Sequence, residues 1–299
     1  MELRHLRHFL AVAETLNYTR AARLLNISGS PLSRSIQQLE LDIGAPLFVR
    51  GTRKVELTPL GVALIPHATR IITNFDDLER DMRRRVHGHV ELYVGMRSVP
   101  PELIRAVIDD VIRQAEPGAD VRLEPLDSFL QMDHILSGKL SLGLVNRRSE
   151  DNRLEYLAVL HEAPGIALPD EPRYRELTDV HPADLAGLRL LLQPGSDRNA
   201  PELQPFVREV LETIDVSSDI VGGIAAMVAA GGSCCVTVAN PSAPWHRYLA
   251  AEGVVIRPLA LDSVRAVTYL CWRTDRDSAQ DLGPILSIAR DRFLAPIEL

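Results

Sequence analysis

Short polar and basic side chains lie along one segment near the start of the chain, where they could hydrogen-bond to nucleotide bases. The segment begins at Ser28 or Ser30 and has a proline in its first turn. The backbone N–H that proline lacks would have no hydrogen-bond partner within the helix at this position. Base edges in the DNA major groove present donors and acceptors that such side chains match. The predicted DNA-reading residues are Ser28, Ser30, Pro31, Ser33, Arg34 and Gln37.

Arg34 has the longest of these side chains, and it can reach either a guanine or a phosphate. The alternative for Arg34 and for each serine is an ordinary solvated surface residue. A second basic group surrounds a predicted turn and is expected to contact phosphates without reading sequence. This group consists of Arg50, Arg53 and Lys54.

Three amphipathic helices and a β-hairpin are predicted to position these groups. The first helix has apolar residues at steps of three and four, namely Leu3, Leu6, Phe9, Leu10 and Ala13. The second helix begins at Asn17, and its residues expected to face the core are Ala21, Ala22, Leu24 and Leu25. The third buries Leu32, Ile36 and Leu39 and points Ser35 outward. Alternating residues 47–50 and 55–58 predict the hairpin, which completes a winged helix-turn-helix.

Apolar residues continue beyond Thr58 with the spacing of a coiled-coil seam. Such a seam is expected of a helix that pairs with a copy of itself, the alternative being a helix that lies on its own domain. Pro66 is expected to kink this helix or to shift its start. The predicted dimerisation residues are Leu60, Leu64, Ala68, Ile71, Phe75, Leu78 and Met82.

From Val90 onward the sequence alternates between strand-like and helix-like segments. Predicted strands lie at 90–95, 121–126, 140–145, 165–168, 189–192 and 234–238, with helices between them. This order predicts mostly parallel sheets with helices on both faces, arranged as two α/β lobes joined by a hinge.

Charge is distributed unevenly along the 299 residues, whose net charge is −7. Residues 1–89 carry 13 Arg and Lys against 9 acidic residues, whereas the remainder carries 20 against 31. A basic end on an acidic body indicates a DNA-facing domain joined to a solvated one. The chain has neither an apolar run long enough to span a membrane nor a signal-peptide pattern, so a cytoplasmic protein is expected.

Other classes of function are disfavoured by the same sequence. It contains no nucleophile elbow, zinc-protease motif or phosphate-binding loop, so neither an enzyme nor a bound cofactor is expected. Cys234 and Cys235 leave open a redox-sensing regulator, but they lie in an apolar run that predicts a buried, inert strand. His87 and His89 could bind a metal, but they fit a hinge better, and no metal site is expected.

Several stretches together resemble the LysR-type transcriptional regulators. They are Asn17 to Ser28, Ser33-Arg34, Gln38-Leu39-Glu40, Ile43 to Arg50 and Leu57 to Gly61, with weaker similarity at Ser137 to Leu144 and Met227 to Gly232. The resemblance implies a winged helix-turn-helix over 1–58, a linker helix over 59–87, and a periplasmic-binding-protein-like effector domain over 88–299. Lobe I would span about 90–160 and 268–299, and lobe II about 161–267.

The resemblance also implies partners: promoter DNA, a small-molecule effector, and further copies of the chain in a homodimer or homotetramer. The implied effector residues are Arg97, Ser98, Val99, Asp127, Ser128, Asn146, Gln193, Ser196 and Gly222. Ser98 and Ser128 are expected to start helices, where free N–H groups favour an anion. Because Arg97 stands beside such an N-terminus, we hypothesise that the effector is a small carboxylate. The alternative is that both serines are simple helix caps.

The chain departs from the family pattern at three positions. Gly29 stands where a glutamine often follows the first serine of the recognition helix, so base reading is expected to shift to Ser33, Arg34 and Gln37. Ser141 replaces the usual aspartate and Ser233 the usual glycine, which concerns details of the sensing domain rather than its fold.

Overall fold

The computed structural model describes residues 1–50, 55–87, 90–192, 200–216, 223–261, 264–277 and 282–299. The chain divides into two compact units, Met1–Gly88 and His89–Leu299, called unit 1 and unit 2 below. Over these described ranges, no helix combines the length and the apolar character needed to cross a membrane.

Unit 1 begins with three helices, α1 (Leu3–Thr15), α2 (Tyr18–Leu24) and α3 (Gly29–Ile43). As predicted, Asn17 caps α2, and its side-chain oxygen accepts hydrogen bonds from the backbone N–H groups of Thr19 and Arg20. The three helices share one core, to which they contribute Leu6, Phe9, Val12, Ala21, Ala22, Leu32, Ile36 and Leu39. The periodicity therefore located all three helices.

Two of the predicted orientations in these helices are wrong. Ser35 is buried rather than outward, because it lies three residues after Leu32 and four before Leu39, on the stripe that faces the core. Leu24 is 58% exposed rather than buried, because α2 ends at this residue and buries only its alanines.

The predicted hairpin is formed by β1 (Phe48–Arg50) and β2 (Val55–Leu57), which pair antiparallel. Glu40 of α3 holds the hairpin in place. Its Oε1 atom accepts hydrogen bonds from the backbone N–H groups of Leu47 at 2.9 Å and Phe48 at 3.2 Å. The third helix and the hairpin are therefore joined by a carboxylate that satisfies two backbone donors.

The long helix α4 (Pro59–His87) is joined to the hairpin at its first turn. The Thr58 hydroxyl accepts a hydrogen bond from the Gly61 N–H and donates one to the Pro46 carbonyl. A Cβ atom on Gly61 would overlap the carbonyl oxygen of Leu47, so only glycine fits this approach. The Thr-Pro-x-Gly sequence thus serves both as a helix cap and as a close contact.

The seam residues of α4 divide into two groups. Ala68 is fully buried in the core of unit 1, with Leu64 packed beside it, so Ala68 is not available to a second copy. Phe75 lies under the guanidinium of Arg7, 5.9 Å from the ring centre. Four seam residues remain exposed by 41–55%, namely Leu60, Ile71, Leu78 and Met82. Pro66 lies inside the helix, which starts at Pro59, so the start is not shifted.

Unit 2 contains two sheets with helices around them. The strands are β3 (Glu91–Met96), β4 (Asp120–Pro125), β5 (Leu142–Val145), β6 (Leu154–Glu162), β7 (Pro164–Pro169), β8 (Arg189–Leu192), β9 (Glu212–Asp215), β10 (Ser233–Val238), β11 (Val254–Pro258), β12 (Ala266–Arg273) and β13 (Ile297–Glu298). The helices are α5 (Pro101–Arg105), continued by a π-helical turn (Ala106–Ile112) and α6 (Arg113–Ala115), then α7 (Ser128–Leu136), α8 (Pro172–Arg175), α9 (Gln204–Glu209), α10 (Ile224–Ala229), α11 (Pro244–Leu249) and α12 (Gly283–Arg292), with 3-10 turns at Pro182–Leu185 and Thr274–Arg276.

The sheets are mixed rather than mostly parallel. Sheet I has the order β13-β6-β12-β5-β3-β4, and sheet II has the order β11-β7-β10-β8-β9. In sheet I the strand β12 runs antiparallel to both neighbours, and in sheet II the strand β7 does the same. The chain passes from sheet I to sheet II between β6 and β7 and returns between β11 and β12. These returning strands produce the antiparallel pairs.

Each sheet is covered by helices on both faces. One face of sheet I packs against the segment α5–α6 and against α12, and the other face packs against α7. Sheet II is covered by α8 and α9 on one side and by α10 and α11 on the other. Each lobe therefore has its own core, which allows a cavity to form between the lobes.

We predict that Glu40→Ala lowers the free energy of unfolding of unit 1 by about 1.5–3 kcal/mol, because two backbone donors lose a charged acceptor. Glu40→Gln keeps one acceptor oxygen, so it should lower the free energy of unfolding by less than half as much. Denaturant unfolding of both variants checks this prediction. A Glu40→Ala variant as stable as the wild type would show that the hairpin does not depend on this carboxylate.

Candidate functional site

One face of α3 exposes the polar residues that the sequence singled out. Ser28, Ser30, Pro31, Arg34 and Gln37 are exposed and Ser33 is half-buried. Ser28 lies at the N-cap position but its side chain makes no capping hydrogen bond, so the hydroxyl is free of that role. The buried stripe on the opposite face fixes this orientation. The helix therefore presents its N-terminal half as one polar surface.

Two features bear on how this surface meets DNA. A Cβ atom on Gly29 would meet no heavy atom within 4 Å, so the missing side chain leaves open space at the start of α3. Arg50 ends β1, but its side chain, like the predicted phosphate contacts Arg53 and Lys54, falls outside the described residues.

Unit 2 contains a cavity of about 270 Å³ between its two sheets. Six of the nine predicted effector residues line it, namely Arg97, Ser98, Val99, Asp127, Ser128 and Asn146. The other three, Gln193, Ser196 and Gly222, are not among the residues that the structure describes. The cavity exceeds the roughly 150 Å³ that holds a benzene molecule, so it has room for a small metabolite.

Of the two helix starts predicted at this cavity, Ser128 is confirmed as the first residue of α7, while the prediction for Ser98 is wrong. Ser98 is not at a helix start, since α5 begins at Pro101; it has instead a left-handed backbone with φ of 50°. Asp127, not Ser128, caps α7, and its carboxylate accepts hydrogen bonds from the N–H groups of Phe129 and Leu130. An aspartate at this end already occupies the donors that an anionic ligand would use.

Ser128 has a different role, because it connects α7 to the end of β5. Its hydroxyl donates to Oδ1 of Asn146 at 2.6 Å and accepts from the Asn146 backbone N–H at 3.1 Å. Ser128 is buried while Asn146 is exposed at the cavity wall. The pair therefore fixes the side chain of Asn146 at the rim of the cavity.

Glu162 is a cavity residue that the sequence analysis missed. It is 6% exposed, and its Oε1 atom accepts a hydrogen bond from Nδ2 of Asn240 at 2.8 Å. Asn240 in turn accepts from the backbone N–H and the hydroxyl of Ser242, which fixes the direction of its amide. Burial raises the pKa of Glu162, and the hydrogen bond from Asn240 opposes that rise.

Further missed residues add aromatic, basic and polar groups to the wall. The guanidinium of Arg147 lies 4.6 Å from the ring centre of Phe129 at the cavity. Trp245 and Thr237 line the sheet II side, and among the described residues neither the indole Nε1 nor the threonine hydroxyl has a hydrogen-bond partner. No local sequence pattern identifies these residues, because they meet only when distant strands pair.

The cysteines are buried and unreactive in this fold. Burial raises the pKa of Cys234 and of Cys235 to about 12, so very little thiolate exists at neutral pH. Redox sensing through this pair therefore gains no support. Within the described ranges, no group of three or more His, Cys, Asp or Glu side chains is arranged to hold a metal ion.

We predict that Glu162 makes stability depend on pH. Because its folded-state pKa lies above the ordinary 4.5, the folded protein holds a proton that the unfolded chain has lost. The free energy of unfolding should fall as pH rises from 4.5 through the raised pKa, and Glu162→Gln should flatten this part of the profile. Denaturant unfolding at a series of pH values checks it, with the exposed Glu155→Gln on the same strand as control. An unchanged profile in Glu162→Gln contradicts the prediction.

Comparison with known families assigns both units. Residues 3–62 match the family described as "Bacterial regulatory helix-turn-helix protein, lysR family", and residues 83–292 match "LysR substrate binding domain". Together these matches cover most of the chain.

Curated relatives and solved structures agree with these matches. The chain is 34% identical over 315 aligned positions to the HTH-type transcriptional regulator IlvR of Caulobacter vibrioides, covering 99% of this chain and 100% of the relative. It is 34% identical to the probable cat1 operon transcriptional activator of Acinetobacter lwoffii, covering 72% of this chain and 71% of the relative.

The fold is similar to that of CbnR, a LysR family transcriptional regulator. The TM-score is 0.62 at 23% identity, with 98% of this chain and 99% of that chain covered. Full-length CbnR in complex with its target DNA also gives a TM-score of 0.62, at 22% identity, with 98% and 100% covered. The chain belongs to the LysR family: it is a DNA-binding transcriptional regulator with an N-terminal helix-turn-helix domain and a domain for a small-molecule effector.

Proposed function

We propose that residues 1–58 of this regulator bind promoter DNA by placing the N-terminal half of α3 in the major groove. The observation that carries the proposal is the division of α3 into a buried stripe and an exposed face with Arg34 and Gln37. Arg34 would read a base edge, with Ser28, Ser30, Pro31, Ser33 and Gln37 around it. Arg50, Arg53 and Lys54 would hold phosphates and set the register.

The linker helix, residues 59–87, is proposed to join two copies of the chain. LysR-type regulators act as oligomers, and α4 exposes Leu60, Ile71, Leu78 and Met82, which a second helix would cover. Leu64, Ala68 and Phe75 contact their own unit and would contribute little to the pairing. The assembly would be a homodimer or a homotetramer.

Residues 88–299 are proposed to sense the effector in the cavity between lobe I (about 90–160 and 268–299) and lobe II (about 161–267). Arg97, Ser98, Val99, Asp127, Ser128, Asn146, Gln193, Ser196 and Gly222 are the proposed contacts. A small carboxylate remains the proposed ligand class. Because Asp127 occupies the start of α7, Arg97 and Arg147 rather than helix N–H groups would bind the carboxylate.

The proposed mechanism couples the two domains. The effector would draw the lobes together, and the closed lobes would change how copies of the chain pack and how far apart their DNA-binding heads lie on the promoter. This is allostery only if the effector binds the two assemblies with different affinity. Because its partner is promoter DNA, we propose that the protein acts in the cytoplasm.

We predict that Arg34→Ala weakens binding to the specific operator by about 1–3 kcal/mol while binding to unrelated DNA changes little. Fluorescence anisotropy with DNA from upstream of the protein's own gene, at several salt concentrations, measures both. Arg105→Ala, an exposed arginine in unit 2, is the matched control. An equal loss on all DNA, with a salt slope lower by about one unit, would assign Arg34 to a phosphate instead.

We predict that small carboxylates, but not neutral analogues of similar size, raise the melting temperature of the protein. Arg97→Ala should weaken their affinity by roughly tenfold, because it removes a charge-assisted hydrogen bond. Arg148→Ala, whose side chain is exposed and lies over Tyr156, is the control. Stabilisation by neutral ligands alone would contradict the carboxylate proposal.

A further inference from the structure

The effector cavity carries opposite charges on its wall. Arg97 and Arg147 supply guanidinium groups, and Glu162 supplies a carboxyl group from the end of β6. A ligand with only a carboxylate would engage the guanidinium side and leave Glu162 without a counterpart.

No basic side chain pairs with Glu162 within the described part of the chain. It forms no ion pair there, and its hydrogen-bond partner Asn240 is a neutral amide. Desolvation raises the pKa of the Glu162 carboxyl, which means that its negative charge is poorly compensated. A buried charge is costly unless it is paired, so a cation that enters the cavity would be attracted to this carboxyl.

We propose that the effector is a small amino acid whose ammonium group is held by Glu162 and whose carboxylate is held by Arg97. The inference rests on the proposed effector function of the same cavity and adds the amino group. The observation that supports it is a cavity lined both by a buried carboxyl group and by guanidinium groups.

The rest of the wall suits the remainder of such a ligand. Apolar side chains from both sheets would contact an aliphatic or aromatic side chain, among them Leu144, Leu192, Val236 and Val267. Thr237 is 6% exposed and its hydroxyl has no hydrogen-bond partner among the described residues, so it offers a further hydrogen bond to a polar ligand. A volume of about 270 Å³ is sufficient for a single amino acid.

Matched ligands test the amino group separately from the carboxylate. L-Leucine is compared with isocaproate, which lacks the amino group, and with isoamylamine, which lacks the carboxylate. L-Phenylalanine is compared in the same way with hydrocinnamate and phenethylamine. Titration calorimetry on the full-length protein measures each affinity, with L-valine and L-alanine added to sample smaller side chains.

We expect at least one amino acid to bind roughly tenfold or more tightly than its counterpart without the amino group, as a charged hydrogen bond provides. Glu162→Gln keeps the acceptor for Asn240 but removes the charge, so this ratio should fall to about one. Glu155→Gln, exposed on the same strand, should leave the ratio unchanged. Melting of the ligand-free variants verifies that each is folded.

The outcomes separate this inference from the proposed function. If the carboxylates bind as tightly as the amino acids, or if Glu162→Gln leaves the ratio unchanged, the inference is overturned while a carboxylate effector stands. If no amino acid, carboxylate or amine binds, both the inference and the carboxylate proposal fall. DNA binding by α3 is measured independently and is unaffected by either result.

Discussion

The buried hydrogen bond between Glu162 and Asn240 joins the last residue of a sheet I strand to a residue just beyond a sheet II strand. The lobes have separate cores, and this polar contact connects them beside the cavity. A carboxyl group buried there must be hydrogen-bonded, and Ser242 orients the amide that does so. The cavity therefore has, between its two lobes, a polar group that is bonded to both of them.

In unit 1, a few specific contacts determine the position of α3 and of the hairpin. The buried stripe of α3 leaves one orientation for its exposed face, and Glu40 ties the same helix to the hairpin. Thr58 and Gly61 then attach α4 to the base of that hairpin. Each of these contacts is made by a backbone group that a strand end or a helix end leaves unpaired. The exposed polar face of α3 is consequently held by the core of unit 1 together with these local connections.

The sequence predicted unit 1 well because its signals are local. Helical periodicity, the Asn17 cap and the alternation around residues 51–54 each act over a few residues. The errors at Leu24 and Ser35 arise because helical periodicity shows which residues share a face of a helix. It does not show how far the neighbouring helices cover that face.

In unit 2 the strands β6, β9, β11, β12 and β13 were not predicted, and the antiparallel pairs depend on strands far apart in sequence. The cap at Asp127 was assigned one residue late, since aspartate and serine both cap helices. Glu162 could not be predicted, because its significance comes from Asn240, 78 positions away.

The position of Glu162 has a consequence for how a ligand signal could leave the cavity. A ligand that interacts equally with open and closed lobes shifts nothing, however tightly it binds. A ligand that contacts only sheet I or only sheet II meets that condition, because its contacts do not change when the lobes move. Arg97 and Glu162 both follow or end sheet I strands, but the Glu162 carboxyl also accepts a hydrogen bond from Asn240, which follows a sheet II strand. A ligand ammonium group that shares this carboxyl with Asn240 would interact differently with open and closed lobes, which is the differential affinity that a change in assembly on DNA requires.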